Sequence, residues 1–97
     1  MQFLTISRRL TDVFPPEAFT PALLAGESQR VKELYAAGLL RQLWKRGDAA
    51  GAAILWEASG ADEVQAALDS LPIKQAGMME IVAFVPLQPY PGFCPAQ

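Results

Sequence analysis

The stretch LLRQLWKRGDAAGAAILWEA, residues 39–58, decides the fold. Side chains from Leu39 to Arg46 alternate between two faces with the period of a β-strand, and Ala52 to Ala58 forms a second segment of strand length. Between them, Gly47 to Gly51 begins and ends on glycine and is typical of a turn. The stretch therefore predicts a β-hairpin with one tryptophan on each strand.

Before the hairpin, the sequence predicts one strand and one helix. Gln2 to Arg9 alternates and contains β-branched residues, which is typical of a strand. Thr20 and Pro21 form a typical helix start, with threonine as the N-cap and proline in the first helical position. Apolar residues then recur at helical spacing as far as Ala37, and Gly38 follows where a left-handed residue commonly ends a helix.

After the hairpin, the sequence predicts a second helix and a last strand. Ser59 is the expected N-cap of this helix, and Pro72 is expected to end it. A loop then leads to the strand from Met78 to Leu87. From about residue 88 the chain is rich in proline, so we expect an extended tail rather than a third long helix.

The predicted order is strand, helix, strand, strand, helix, strand, in one domain that covers residues 1–97. Right-handed crossovers turn this order into an α+β, ferredoxin-like βαββαβ fold, with an antiparallel sheet and both helices on one face. We expect the other face to carry Phe3 or Leu4, a tryptophan, and Val82 with Phe84 or their neighbours. Because such a face is too apolar to meet water, two sheets are expected to pack as a dimeric α/β barrel with a cavity between them.

The composition supports a second buried surface and excludes several classes of protein. Hydrophobic residues make up 52% of the chain and charged residues only 19%. The net charge of −2 and the scattered basic residues argue against a nucleic-acid-binding protein. No segment resembles a membrane span or a signal peptide, so a cytoplasmic protein is expected. A single cysteine, Cys94, and the absence of histidine exclude an internal disulfide, the usual zinc sites and His-dependent triads.

Several short motifs resemble the muconolactone isomerase family. They are Glu33-Leu34-Tyr35 with Gly38, Leu40 to Lys45, Ser70-Leu71-Pro72, Met79-Glu80-Ile81 and Val85-Pro86-Leu87. The resemblance implies a ferredoxin-like protomer, a homo-oligomer built from dimers and no cofactor. It also implies that the protein moves a carbon–carbon double bond in an unsaturated lactone during aromatic degradation. That reaction needs a base of suitable pKa and a donor for the dienolate oxygen.

The chain departs from the family in positions that line the expected pocket. Leu4 and Ile6 stand where family members tend to have polar residues, Gln42 stands in place of a histidine, and Val82 in place of a second acid. A pocket with fewer ionisable groups favours a small, more apolar or aromatic-derived substrate.

Three charged residues are the candidate catalytic groups. Glu80 lies in an apolar strand, where desolvation would raise its pKa and make it a base; the alternative is an edge-strand glutamate paired with a basic residue. Glu57 is a second candidate acid, or a solvated residue at a strand end. Arg41 is expected either to hold a substrate oxygen or to form a surface salt bridge.

The candidate substrate-binding residues are Gln42, Trp44, Trp56 and Phe84. Gln42 would anchor an oxygen. The two tryptophans would form an aromatic wall for a flat ligand, or else serve as core or interface residues. The leading hypothesis is a cofactor-independent isomerase, or a related lyase or cyclase, that acts on a small carbonyl compound. The alternatives are a non-catalytic dimeric barrel that binds a small ligand or acts as an accessory protein, and a purely structural subunit.

Overall fold

The computed structural model describes residues 1–93, which form a four-stranded sheet with helices packed against it. Cys94 and the end of the predicted tail lie outside the described residues. The elements in chain order are β1 (Gln2–Arg9), a 3₁₀ turn (Pro16–Ala18), α1 (Pro21–Ala36), β2 (Leu40–Lys45), β3 (Ala52–Glu57), α2 (Ala61–Asp69), α3 (Pro72–Gln75) and β4 (Met79–Leu87).

The sheet has the strand order β2-β3-β1-β4, and all neighbouring strands are antiparallel. β1 and β3 are therefore central, while β2 and β4 are the edge strands. This arrangement confirms the α+β, ferredoxin-like fold predicted from the sequence. No helix in residues 1–93 is long and apolar enough to cross a membrane.

The hydrophobic core lies between one face of the sheet and the helices. From the sheet it takes Phe3, Ile54 and Trp56, and from α1 and α2 it takes Leu34 and Leu68. Trp56 is completely buried, so the second strand of the hairpin holds the centre of the core. Since β1 alternates, Leu4 and Ile6 lie on the opposite face, which we call the open face.

The predicted helix ends are partly confirmed. The Thr20 hydroxyl accepts a hydrogen bond from the Leu23 N–H at 3.2 Å, and Gly38 has φ of 82°, as expected for a residue that follows a helix. Ser59 as the N-cap of α2 is wrong, because Gly60 holds that position and the Ser59 N–H donates to Glu63 Oε1 at 2.8 Å instead.

Pro72 begins a helical turn where the sequence predicted only a loop. α2 already ends at Asp69, and Pro72 is the first residue of α3. Proline suits this position because its missing N–H would have no partner in the first turn of a helix.

Two bulges decide which side chains lie on each face. In β2, the pairing shifts between Leu40 and Gln42, so that Leu40 pairs with Trp56 and Gln42 pairs with Leu55. In β4, Ala83 pairs with Ile6, while Phe84 pairs with Thr5 on the face towards the helices. Of the predicted alternatives, the open face therefore carries Val85, a neighbour of Phe84, whereas the Phe84 ring contacts Phe3 edge-on, with centroids 5.9 Å apart.

The open face is largely apolar, as the sequence predicted. It carries Leu4, Ile6 and Leu55 in its centre, Trp44 near one edge and Val85 near the other. Trp44 and Val85 are 49% and 42% exposed in the single chain. Packing of two such faces into a barrel stays a prediction.

Candidate functional site

A cavity of about 290 Å³ lies between α1 and the helix-facing side of the sheet. Its polar lining comes mainly from Thr5, Ser7 and Arg9 on β1 and from Glu27, Ser28 and Lys32 on α1. Alternate residues of a strand share a face, so Thr5, Ser7 and Arg9 all point to this side. Apolar side chains, among them Val31 and Ile54, complete the lining. The space is of the size that a small organic molecule needs.

Glu27 is the ionisable acid that lines the cavity. It is partly buried, and its Oε1 accepts a hydrogen bond from the Ile73 N–H at 3.0 Å. Burial raises the pKa of this carboxyl above the ordinary value for glutamate, because the charged form loses hydration. The Ile73 N–H and the positive charge of Arg9 favour the charged form and oppose this shift, but desolvation is the larger effect. Glu27 therefore has the environment of a general base or acid.

Thr5 supplies a hydroxyl to the cavity. Its side chain is almost completely buried, and Oγ1 accepts a hydrogen bond from Trp56 Nε1 at 2.8 Å. Among the hydrogen bonds of residues 1–93, the Thr5 hydroxyl acts as an acceptor and donates to no other protein group. Trp56 thus fixes the orientation of a potential oxyanion donor.

The Ser7 hydroxyl is engaged with the neighbouring strand. Its Oγ accepts a hydrogen bond from the Ala52 N–H at 3.1 Å and lies 3.4 Å from the Ala52 carbonyl oxygen. Ser7 therefore helps to join β1 to β3 beside the cavity and is less free than Thr5 to donate to a ligand.

Glu80, the first predicted catalytic residue, lies on the open face of β4. It pairs with Arg8, whose Nε donates to Glu80 Oε1 at 2.9 Å, while Nη1 of Arg8 donates to Asp12 at 3.0 Å. The Glu80 side chain is 51% exposed in the single chain. The desolvation on which the sequence argument depended is therefore absent from the protomer, and the edge-strand ion pair given as the alternative is what the geometry contains.

Glu57 and Arg41 lie apart from Glu80. Glu57, on the open face, accepts a hydrogen bond from the amino group of Met1 at 2.7 Å. Arg41 is the extra residue of the bulge in β2 and is exposed. With Gln42 it lines a groove beside α1 that shares Val31, Lys32 and Leu43 with the cavity. Arg41 and Gln42 therefore lie on the edge strand β2, at the opposite side of the sheet from Glu80 on β4.

The two tryptophans lie on opposite faces of the sheet. Trp56 pairs with Leu40 on the buried face, whereas Trp44 pairs with Ala53 on the open face. A single aromatic wall formed by both is therefore wrong, and for Trp56 the core role given as the alternative is the one observed. Phe84 packs against Phe3, and the lining of the cavity is formed by other side chains.

Sequence reasoning missed Glu27, although a signal was present. Leu24, Glu27, Val31 and Leu34 follow one another at spacings of three and four residues, which places them on one face of α1. An acid within an apolar helical stripe is rarely buried without a reason. In residues 1–93, no group of three or more histidine, cysteine, aspartate and glutamate side chains is arranged to hold a metal ion.

The fold and the cavity define a ferredoxin-like α+β protein that holds one partly buried carboxyl group in a cavity between a helix and the sheet. The family model for muconolactone delta-isomerase matches residues 1–92, so the chain belongs to that family. No curated protein matches the sequence significantly.

Solved structures share the fold, and they include the following two. One is a muconolactone isomerase, with a TM-score of 0.76 and 21% sequence identity, covering 100% of this chain and 98% of that chain. The other is 5-chloro-2-hydroxyhydroquinone dehydrochlorinase from Burkholderia phenoliruptrix AC1100, in complex with 2,5-dihydroxybenzoquinone. It has a TM-score of 0.61 and 21% identity, covering 88% of this chain and 89% of that chain.

Proposed function

We propose that the protein is a cofactor-independent isomerase or lyase that moves a proton on a small, ring-derived carbonyl or lactone compound. The observation that carries this proposal is Glu27, whose desolvated carboxyl lines the cavity between α1 and the sheet. Membership of the muconolactone delta-isomerase family supports the reaction class. The names of the two similar structures, an isomerase and a dehydrochlorinase, describe reactions of small unsaturated rings.

In the proposed reaction, the Glu27 carboxylate removes a proton from a carbon conjugated with the substrate carbonyl: the γ carbon of an α,β-unsaturated lactone, or the carbon next to the carbonyl of a β,γ-unsaturated one. The electron pair moves into the conjugated system, and the carbonyl oxygen becomes the oxygen of a dienolate. The Thr5 hydroxyl donates a hydrogen bond to that oxygen. The protonated Glu27 then returns the proton to a different carbon, so the double bond shifts and the proton count balances. If the dienolate instead expels a leaving group, the same residues perform an elimination.

The lining of the cavity favours a small substrate with an apolar body. Val31, Leu43 and Ile54 contribute apolar side chains to the lining, and partial burial raises the pKa of Glu27 beside them. Muconolactone is the first substrate to test because of the family, and lactones with a more apolar ring follow because Val31, Leu43 and Ile54 line the cavity.

The assignment of Glu80 as the base remains a rival proposal. In a dimer built through the open face, a second sheet would cover Glu80 and Trp44 and create the desolvation that the single chain lacks. Arg41 and Gln42 would then anchor the substrate oxygen, and Glu57 would be a second acid. Glu27 is favoured because its cavity and its raised pKa exist within one protomer.

A homo-oligomer built from dimers is part of the same proposal. The apolar side chains of the open face, Leu4, Ile6 and Leu55 in its centre, support this assembly. The proposed partner is therefore a second copy of the chain, and we infer a cytoplasmic enzyme with no nucleic acid or membrane partner.

The experiment compares turnover in the wild type and in Glu27→Gln, Glu80→Gln and Glu33→Gln. Glu33 is the matched control because it lies on the same helix, is exposed and pairs with Arg30. Loss of the base is expected to lower kcat by about 10²- to 10⁴-fold in Glu27→Gln alone. If Glu80→Gln is the inactive variant, the rival assignment is correct.

The alternative function is a non-catalytic barrel that binds a small ligand or acts as an accessory protein. The apolar residues Leu4 and Ile6 in place of polar ones favour it. This alternative predicts that lactones bind, as detected by calorimetry, but that none exchanges a carbon-bound proton with deuterated solvent. Exchange catalysed by the wild type would exclude it.

A further inference from the structure

Arg9 is an arginine at the edge of the cavity that forms no direct salt bridge in residues 1–93, although its positive charge acts on the Glu27 carboxyl in the same cavity. In the part of the chain that the structure describes, Arg8, Arg30 and Arg46 each form a salt bridge, whereas Arg9 forms none. Arg9 is nevertheless partly buried, at the end of β1. A buried cation usually has a partner, so the guanidinium needs another source of stabilisation.

Phe19 provides part of that stabilisation. The guanidinium carbon of Arg9 lies 5.9 Å from the centre of the Phe19 ring, within the range of a cation–π interaction. Phe19 follows the 3₁₀ turn at Pro16–Ala18, in the connection between β1 and α1. The Phe19 ring accepts no ordinary hydrogen bond from the guanidinium, so this contact leaves its N–H donors available.

Arg9 lies where those donors can meet a ligand. It lines the cavity together with Thr5 and Glu27, and it also lines the apolar space under the β1–α1 connection that Phe14 and Phe19 enclose. A guanidinium presents a planar fork that matches two oxygen atoms of a carboxylate or of an acidic enol.

We propose that Arg9, steadied by Phe19, binds an anionic oxygen group of the substrate and so selects anionic over neutral ligands for this cavity. The ligand class is a small planar organic monoanion. The proposal rests on the proposed function for the identity of the cavity, but it does not require that Glu27 act as the base. Arg9 is here a specificity-determining residue: its loss weakens substrate binding, whereas loss of Glu27 stops the proton transfer.

The positive charge of Arg9 favours the charged form of Glu27, which lines the same cavity. A ligand anion next to Arg9 would meet the repulsion of an ionised Glu27, so the two acidic groups compete for one cation. Replacing Glu27 with glutamine should therefore leave anion binding intact or strengthen it.

The test uses two probes of nearly equal shape, benzoate and benzamide, with binding measured by calorimetry on the full chain. The wild type is expected to bind benzoate more tightly than benzamide. Arg9→Gln is expected to lose about 10-fold or more of its benzoate affinity, the range for a charge-assisted hydrogen bond, with little change for benzamide. Arg9→Lys should recover only part of the preference, because lysine keeps the charge but lacks the fork. Arg30→Gln removes the same charge elsewhere on the protein and should keep the preference.

Two further variants separate this proposal from the proposed function. Phe19→Leu keeps the apolar bulk and should weaken benzoate binding less than Arg9→Gln, and it covers the case in which Arg9→Gln fails to fold. If Glu27→Gln binds benzoate normally while no lactone turns over in the wild type, the anion site stands and the proposed function fails. If turnover depends on Glu27 but Arg9→Gln leaves KM and benzoate binding unchanged, the anion site is wrong and the function stands. Equal affinity of the wild type for the two probes would also overturn the proposal.

Discussion

Replacing Thr5 with valine tests how the core and the cavity are joined. Valine has nearly the shape of threonine, so the substitution removes the hydroxyl without opening a large space. Trp56 Nε1 then loses its acceptor at 2.8 Å while its side chain stays completely buried. A buried donor left without a partner costs about 1–3 kcal/mol, and this is the loss of unfolding free energy that we expect.

A double-mutant cycle isolates this hydrogen bond. Trp56→Phe removes the donor and also leaves a space in the core, so this variant should lose more unfolding free energy than the hydrogen bond alone contributes. In the double variant, the valine no longer faces an unsatisfied N–H, and the coupling between the two changes should be about 1 kcal/mol. Thr5→Ser keeps the hydroxyl and is the matched control.

Urea unfolding, followed by circular dichroism, measures the loss of unfolding free energy, and turnover measures the effect on kcat. Thr5→Val should lower kcat by about 10²-fold if its hydroxyl stabilises the dienolate oxygen. A Thr5→Val protein as stable as the wild type, with no coupling to Trp56→Phe, would refute the structural reasoning. Full activity in that variant would remove Thr5 from the mechanism.

Three further predictions follow from the contacts of single residues. Because the folded state raises the pKa of Glu27, the stability that this group contributes is fully present below the ordinary glutamate range and is lost as pH rises through the raised pKa. Glu27→Gln should therefore gain stability relative to the wild type as pH increases. Denaturation at several pH values measures the difference in unfolding free energy, and a difference that stays constant with pH would contradict the prediction. Gly51→Ala should lower the free energy of unfolding by more than about 1 kcal/mol, because Gly51 has φ of 150° and an added Cβ would lie 2.0 Å from the Ser7 carbonyl oxygen. Thermal unfolding measures the loss, and Gly47→Ala, where no atom lies within 4 Å of the added Cβ, is the control. Leu55→Asp should convert a dimer into monomers in sedimentation experiments, since Leu55 is central on the open face, and an unchanged mass would place the interface elsewhere.

The fold was predictable because its signals are local. The alternation of Gln2–Arg9, the Thr20-Pro21 helix start and the hairpin all depend on neighbours in the sequence, and all three are observed. The errors concern single positions where a local rule had two solutions. Ser59 and Gly60 can both precede a helix, and Pro72 can both follow one helix and begin another.

The candidate site was harder to predict because face assignment depends on register. Sequence alternation cannot locate a bulge, and the bulges in β2 and β4 decide that Trp44 and Phe84 lie on opposite faces. Glu27 was missed for a different reason. Its partial burial depends on the position of α1 across the cavity from β1 and on the nearby Ile73 N–H, and neither can be read from the sequence. Its place within an apolar stripe of α1 was the signal to weigh.

The most direct test of Glu27 as the proton-transferring group is the incorporation of solvent deuterium into muconolactone and related lactones, followed by NMR. The proposal predicts exchange with the wild type, Glu80→Gln and Glu33→Gln, and a rate lower by about 10²-fold or more with Glu27→Gln. Exchange by Glu27→Gln at the wild-type rate would contradict it.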